Sequence, residues 1–142
     1  MKRFGIWAVL ALLIVAGAGL YGYNQSDTPP RISIDPSTFD WGQVPNDQPV
    51  TQSFAVSNTG GQPLEIQGLS TSCGCTTAEV DQRRVPSGET TTLHVTFDPT
   101  THADMTGDVM RAVYLRTNDP HQPEAVLELH AKVVSVKGGE AP

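Results

Sequence analysis

The chain has 142 residues, of which 38% are hydrophobic, and a formal net charge of −6 at pH 7. This length leaves room for one domain and a short additional element. A nucleic-acid-binding surface needs a basic face, and in this acidic chain the arginines are scattered apart from Arg83-Arg84. Nucleic acid is therefore excluded as a partner.

The first element along the chain is apolar. Lys2 and Arg3 precede residues 4–23, FGIWAVLALLIVAGAGLYGY, which carry no charge. A helix of this length spans about 30 Å, the thickness of the hydrocarbon core of a bilayer. The basic flank predicts a cytoplasmic N-terminus and an exported remainder. Residues 1–23 are thus predicted to form a transmembrane anchor or, alternatively, a signal peptide that is cleaved near Ala16-Gly17-Ala18.

The rest of the chain is predicted to be a linker, a β domain and a tail. Residues 24–31, NQSDTPPR, are polar and end in two prolines, which predicts a stiff linker. Residues 32–136 contain short runs that alternate with period two, most clearly at 50–58, 90–98 and 125–136. Residues 137–142 are predicted to be a flexible tail.

The alternation also predicts which side chains are buried, because successive side chains of a strand point to opposite faces. His94 and His130 are placed outward. The side chains predicted to form the core are Phe54, Val56, Leu93, Val95, Phe97, Leu129 and Val133.

Weaker runs occupy residues 32–34, 39–44, 64–69, 77–80 and 109–117, with turn residues between them. Arg111 interrupts the last run, which predicts a bulge or an edge at its start. Seven or eight short strands in about a hundred residues predict an all-β fold, an Ig-like β-sandwich of about seven strands.

Several short motifs, taken in this order, resemble a bacterial family called domain of unknown function 1573. They are FDWGQV, FAVSNTGGQPLEI, STSCGCT, PSGE, FDP and RTNDP, and the resemblance covers residues 39–133. It implies an exported or membrane-attached Ig-like sandwich related to chaperone-like and sperm-protein-like β domains, and it brings no accepted activity. One departure is the turn Val85-Pro86-Ser87-Gly88, which is one residue longer than is usual in the family.

Both cysteines, Cys73 and Cys75, flank Gly74. Residues i and i+2 of an extended segment point to the same side, with Cα atoms about 6.6 Å apart, and this is near the upper limit of about 6.8 Å for a disulfide. Gly74 can bend the step. Because exported cysteines become oxidised, we expect a disulfide, a clamp whose small ring contributes only about 1–2 kcal/mol.

Two other interpretations of the cysteine pair stay open. Two thiolates suit Cu(I) or half of a zinc site, for which His102 and Met105 are candidate additional ligands. A redox pair would instead need a nearby cation or helix N-terminus to stabilise a thiolate, and the local sequence supplies neither.

The sequence contains no nucleophile motif, so we expect a protein that is not an enzyme. The expected function is that of an extracytoplasmic module held to the bacterial cell membrane through residues 4–23, which binds or scaffolds protein partners in the envelope. The alternative is an extracytoplasmic copper-binding or thiol-redox protein that uses Cys73 and Cys75.

Overall fold

The computed structural model describes residues 27–102 and 104–136. The predicted membrane segment, residues 24–26 of the predicted linker and the predicted tail lie outside these residues. Within the described part, no helix has the length and hydropathy needed to cross a membrane.

The described residues form an all-β structure with one short 3₁₀ turn, Pro99–Thr101. Each run predicted from the sequence coincides with a strand. The strands are β1 (Ile32–Asp35), β2 (Thr38–Pro45), β3 (Val50–Asn58), β4 (Leu64–Thr71), β5 (Thr76–Val80), β6 (Arg84–Val85), β7 (Thr90–Phe97), β8 (Gly107–Thr117) and β9 (Glu124–Val134).

The strands form two sheets. The first has four strands in the order β1-β3-β7-β5, and the second has five in the order β2-β9-β8-β4-β6. Neighbouring strands are antiparallel except for β2, which runs parallel to β9. The outer strands are therefore β1 and β5 in the first sheet, and β2 and β6 in the second.

The inner faces of the two sheets share one hydrophobic core. The first sheet contributes Phe54, Val56, Leu93 and Val95, and the second contributes Leu64, Ile66 and alternate residues of β8 and β9. All seven side chains predicted from the alternation are buried, which confirms the predicted strand phase. A second cluster of buried residues closes one end of the domain and consists of Val44, Cys75, Phe97, Ala131 and Val133.

The expectation of a bulge at Arg111 was wrong, because the pairing of β8 with β9 is continuous from Gly107 to Arg116. The alternative expectation, an edge, is confirmed for the start of β8, since β4 pairs only with the part of β8 from Val113 to Thr117. Arg111 pairs with the buried Leu129, so the alternation continues with an arginine at an inward position. It can occupy that position because it lies near the strand's beginning, where the core ends and a half-buried side chain can still reach solvent.

Residues 28–31, at the end of the predicted linker, are packed on the domain. The carbonyl oxygen of Thr28 accepts hydrogen bonds from the backbone N–H groups of Gly61 and Gln62. A Cβ atom at Gly60 would overlap the carbonyl oxygen of Pro29. The close approach of these two backbones therefore requires glycine at position 60.

Candidate functional site

The two cysteines lie in the turn between β4 and β5, and this turn is bonded to both sheets. On the side of the five-stranded sheet, Ser72 and Ala112 of β8 form two hydrogen bonds of 2.9 Å, one of them to the Ser72 hydroxyl. On the other side, the N–H of Asp98, which follows β7, donates to the carbonyl oxygen of Cys75 at 2.8 Å. The turn is thus held in place by backbone on either side of the core.

Cys73 and Cys75 form a disulfide, with Cα atoms 5.3 Å apart. The two residues differ in exposure: Cys75 is 2% exposed and belongs to the buried cluster at this end, whereas Cys73 is half-buried. The hydroxyl oxygen of Thr76 lies 3.5 Å from the sulfur of Cys73 and 3.9 Å from that of Cys75. One face of the disulfide is therefore open to solvent and the other is covered by the protein.

The guanidinium group of Arg111 covers the buried side. Its Nε–H donates to the Cys75 sulfur at 3.1 Å, and its Nη1 donates to the carbonyl oxygen of Met110 at 2.8 Å. The guanidinium carbon lies 5.6 Å from the centre of the Phe97 ring, a cation–π distance. This places a cation against the disulfide, as the redox interpretation requires.

Sequence reasoning missed Arg111 as a member of the site. The available signal was its charge at a position that the alternation assigns to the inner face of β8. A charged side chain at an inward position needs a partner, and here the partners are a sulfur atom and an aromatic ring.

The structure gives the metal interpretation no geometric support. Met105 is half-buried and packs on the same apolar cluster as Cys75, while His102 is exposed. Residues 27–102 and 104–136 contain no group of three or more His, Cys, Asp or Glu side chains that could hold a metal ion. A sulfur in a closed disulfide is also not a thiolate, and the thiolate is the form that binds metals.

A second polar cluster lies at the opposite end of the domain, where β3 ends and β8 turns into β9. The buried Asn58 uses its whole side-chain amide there. Its Oδ1 accepts from the N–H groups of Arg31 and Gly60, and its Nδ2 donates to the carbonyl oxygens of Gln62 and Val85. Asn58 thus joins three segments of backbone, the one at Arg31, the turn from Gly60 to Gln62 and the strand β6 at Val85.

Asp119 likewise joins separate parts of the backbone, through hydrogen bonds to its carboxylate. It is 1% exposed and accepts backbone hydrogen bonds from Ile32 at 2.9 Å, His121 at 2.8 Å and Gln122 at 3.3 Å. Burial by itself raises the pKa of this carboxyl, but the three N–H donors, helped by the charge of His121, lower it more. The net effect is a pKa below the ordinary value, so Asp119 is ionised at neutral pH.

These observations define a small all-β domain of two packed sheets, with a disulfide-bonded turn at one end and a saturated polar cluster at the other. The chain belongs to the family described as "Protein of unknown function (DUF1573)", whose model matches residues 32–133. The family resemblance seen in the sequence is thereby confirmed. No match was found among the curated proteins.

Among solved structures, the chain is similar to a protein of unknown function from Porphyromonas gingivalis W83, with 21% identity and a TM-score of 0.67 over 72% of this chain and 46% of that one. It is also similar to a PapD-like domain of human CEP192 (10% identity, TM-score 0.56, 77% and 89% of the two chains). The YadV chaperone is a third similar structure, with 16% identity and a TM-score of 0.54 over 75% of this chain and 54% of that one. The chain therefore spans less than half the length of the P. gingivalis protein, and these likenesses show a shared fold.

Proposed function

We propose that the protein is a membrane-tethered Ig-like domain on the extracytoplasmic side of the bacterial envelope, and that it binds a protein partner without acting as an enzyme. The apolar residues 4–23 with their basic flank support the tether and the location. The shared fold with a PapD-like domain and a chaperone supports a binding role by analogy. The observation that carries the proposal is that the outer strand β5 lacks the features that keep the other three outer strands from pairing with another chain.

Three of the four outer strands have features that discourage pairing with another chain. β1 has four residues, is followed by Pro36, and uses its Ile32 N–H to bind Asp119. β2 is irregular between Asp40 and Gln43 and ends at Pro45. β6 has only two residues and is followed by Pro86.

β5 lacks these features. It pairs with β7 in continuous register over its five residues, Thr76–Val80, and contains no proline or lysine. Two backbone hydrogen bonds, Asp98 N–H to Cys75 and Asp81 N–H to Thr92, fix which residues bond to β7. Because antiparallel bonding alternates, Ala78 and Val80 present their N–H and C=O groups away from β7, on the side where the described residues form no further strand of this sheet.

The partner that fits this edge is an extended segment of another envelope protein, added as an antiparallel strand. Backbone hydrogen bonds to Ala78 and Val80 would supply the affinity, as in other cases of strand addition. The side chains of Thr77 and Glu79, both exposed, would select the partner.

The test uses the full chain in its native membranes, with a photo-crosslinking residue in place of Glu79. We expect a discrete protein adduct, and we expect Ala78→Pro to reduce it about fivefold, because the loss of one backbone hydrogen bond costs about 1 kcal/mol. Proline is tolerated at this position because the N–H of Ala78 makes no ladder bond. The matched control is Ile34→Pro, which removes an outward N–H from β1 at the other edge of the same sheet.

An adduct of equal yield in the wild-type and Ala78→Pro proteins, or no adduct at all, would contradict binding at β5.

The membrane tether is tested by a separate experiment. External protease should digest the domain in intact spheroplasts, while residues 4–23 remain with the membrane after carbonate extraction.

A second candidate function, thiol chemistry at Cys73 and Cys75, is favoured by one specific observation. Arg111 places a guanidinium N–H 3.1 Å from one of the two sulfurs. Such a contact has more consequence for a thiolate than for a closed disulfide, since hydrogen bonds to charged acceptors are about twice as strong as those to neutral ones.

A further inference from the structure

Arg111 is a half-buried, charged side chain that contacts the disulfide. It occupies an inward site of β8, between the inward-facing Val109 and Val113. Among the residues that the structure describes, no carboxylate forms an ion pair with it. Its guanidinium group is therefore directed at the disulfide and the Phe97 ring without a neutralising partner.

The neutral disulfide sulfur is a weak hydrogen-bond acceptor, so the contact contributes little while the bond is closed. If the bond opens, the Cys75 sulfur becomes a thiolate that remains beside a permanent cation. An opposite charge within about 4–6 Å favours the ionised form of a group, and here the donor is in direct contact. Arg111 thus stabilises the opened state more than the closed one.

The difference in exposure between the two cysteines determines which sulfur an incoming thiol can attack. An incoming thiol can reach the half-buried Cys73, whereas Cys75 is 2% exposed and lies beneath Arg111. The attacked sulfur is then Cys73, and the sulfur that leaves is the one that Arg111 contacts.

From this geometry we propose that Cys73–Cys75 is a thiol–disulfide exchange site that oxidises a dithiol on a partner protein, with Arg111 stabilising Cys75 as the leaving thiolate. This activity rests on the second candidate function, thiol chemistry at these cysteines, and specifies its reaction and direction. It departs from a purely non-enzymatic binding role and does not depend on strand addition at β5. It requires no cofactor, since the partner dithiol is the reductant.

The exchange takes place in two substitution steps, over which atoms and electrons balance. A thiolate of the partner attacks the Cys73 sulfur, a mixed disulfide forms, and the electron pair of the Cys73–Cys75 bond leaves on Cys75. The second thiolate of the partner then attacks its own half of the mixed disulfide, so that a partner disulfide forms and Cys73 leaves as a thiolate. In sum, the partner loses two electrons and two protons, and Cys73 and Cys75 receive them as thiols.

The first experiment measures how fast dithiothreitol, as the probe dithiol, reduces the disulfide in the purified full chain. Samples are quenched by alkylation and counted by mass spectrometry. We expect Arg111→Met to react about 3- to 30-fold more slowly. A cation in contact with an acidic group typically lowers its pKa by about 1–3, and the rate of thiol–disulfide exchange follows such a change with about half its logarithmic size. Arg111→Lys keeps the charge and should recover part of the rate.

The matched control is Arg116→Met, which removes an outward-facing arginine from the same strand. Its rate should equal that of the wild type, and circular dichroism should show that each variant compared is folded. Equal rates for the wild-type and Arg111→Met proteins would overturn the proposal, as would an equal slowing by Arg116→Met.

The second experiment needs no variant, so it decides the question even if Arg111→Met does not fold. The wild-type chain is treated briefly with glutathione, alkylated under acid quench and sequenced by tandem mass spectrometry. We expect the glutathione on Cys73 and the alkyl group on Cys75. Glutathione on Cys75, or divided equally between the two cysteines, would contradict the direction of attack and overturn the proposal.

Discussion

The two ends of the domain place polar side chains in different situations, buried at one end and half-buried at the other. At the Asp119 end, one carboxylate and one amide accept or donate seven hydrogen bonds to backbone groups, and none of these side-chain atoms faces a reactive group. At the cysteine end, a guanidinium group faces a bond that can be broken and has no carboxylate beside it among the described residues.

The difference separates structural motifs from a candidate chemical one. The motif SNTGG supplies Asn58, and RTNDP supplies Asp119, and in both cases the saturated hydrogen bonds account fully for the residue. The motif SCGCT is also fixed by backbone bonds, but its disulfide joins a half-buried cysteine to a buried one whose sulfur contacts a cation. Saturated groups stabilise a fold, whereas an uncompensated charge beside a reactive bond indicates a function.

Removal of the Phe97 ring should have the largest effect on stability. Its side chain is fully buried at the cysteine end, where Trp41 stacks on it at 6.0 Å and Arg111 covers it. Phe97→Ala should therefore lower the free energy of unfolding by about 3–5 kcal/mol, measured by urea denaturation. His94→Ala, on the outer face of the same strand, should change it by less than about 0.5 kcal/mol. Equal losses would show that the strand phase is misassigned.

Asp119→Ala should come second, with a loss of about 2–3 kcal/mol at neutral pH, because three backbone N–H groups lose their acceptor in a buried site. Asp108→Ala, which removes an exposed carboxylate at the other end of β8, is the control and should cost little.

The loss in Asp119→Ala should depend on pH. The pKa of Asp119 is lower in the folded than in the unfolded protein, so its stabilisation is complete above the ordinary pKa of about 4 and disappears as the pH falls through the folded value. The wild type and Asp119→Ala should therefore converge in stability as acid is added. A constant difference down to about pH 2 would contradict the ionised, hydrogen-bonded carboxylate.

The double substitution of Cys73 and Cys75 by serine should have the smallest effect of the three. The ring that the disulfide closes is so small that its loss should cost no more than about 1–2 kcal/mol, seen as a modestly lower melting temperature of a folded β protein. Alkylation of the native protein before reduction should label neither cysteine. Free labelling of both, together with stoichiometric copper that the serine variant loses, would favour the metal interpretation instead.

The sequence predicts most of the fold because strands with one buried face alternate strictly. The run at 50–58 coincides with β3, and the seven core residues follow from period two alone. β6 could not be found in this way, because a strand of two residues, Arg84–Val85, is too short to alternate.

Much less of the site could be predicted, because it depends on contacts between distant parts of the chain. The spacing of Cys73 and Cys75 predicts a possible disulfide, but Arg111 lies 36 residues after Cys75 and reaches it only through the order of the strands. Asp119 similarly meets Ile32 across 87 residues. A single sequence shows which residues are unusual for their position, such as an inward arginine, without showing what they contact.

The contrast between the two ends is tested most directly by measuring two quantities, the free energy of unfolding and the rate of disulfide reduction by dithiothreitol, on both Arg111→Met and Asp119→Ala. Under conditions where both variants are folded, Arg111→Met should lose about 3- to 30-fold in reduction rate. Asp119→Ala should lose about 2–3 kcal/mol of stability and retain the wild-type rate. Reduction rates that simply follow the stability of each variant, without a specific loss in Arg111→Met, would contradict a chemical role for the cysteine end.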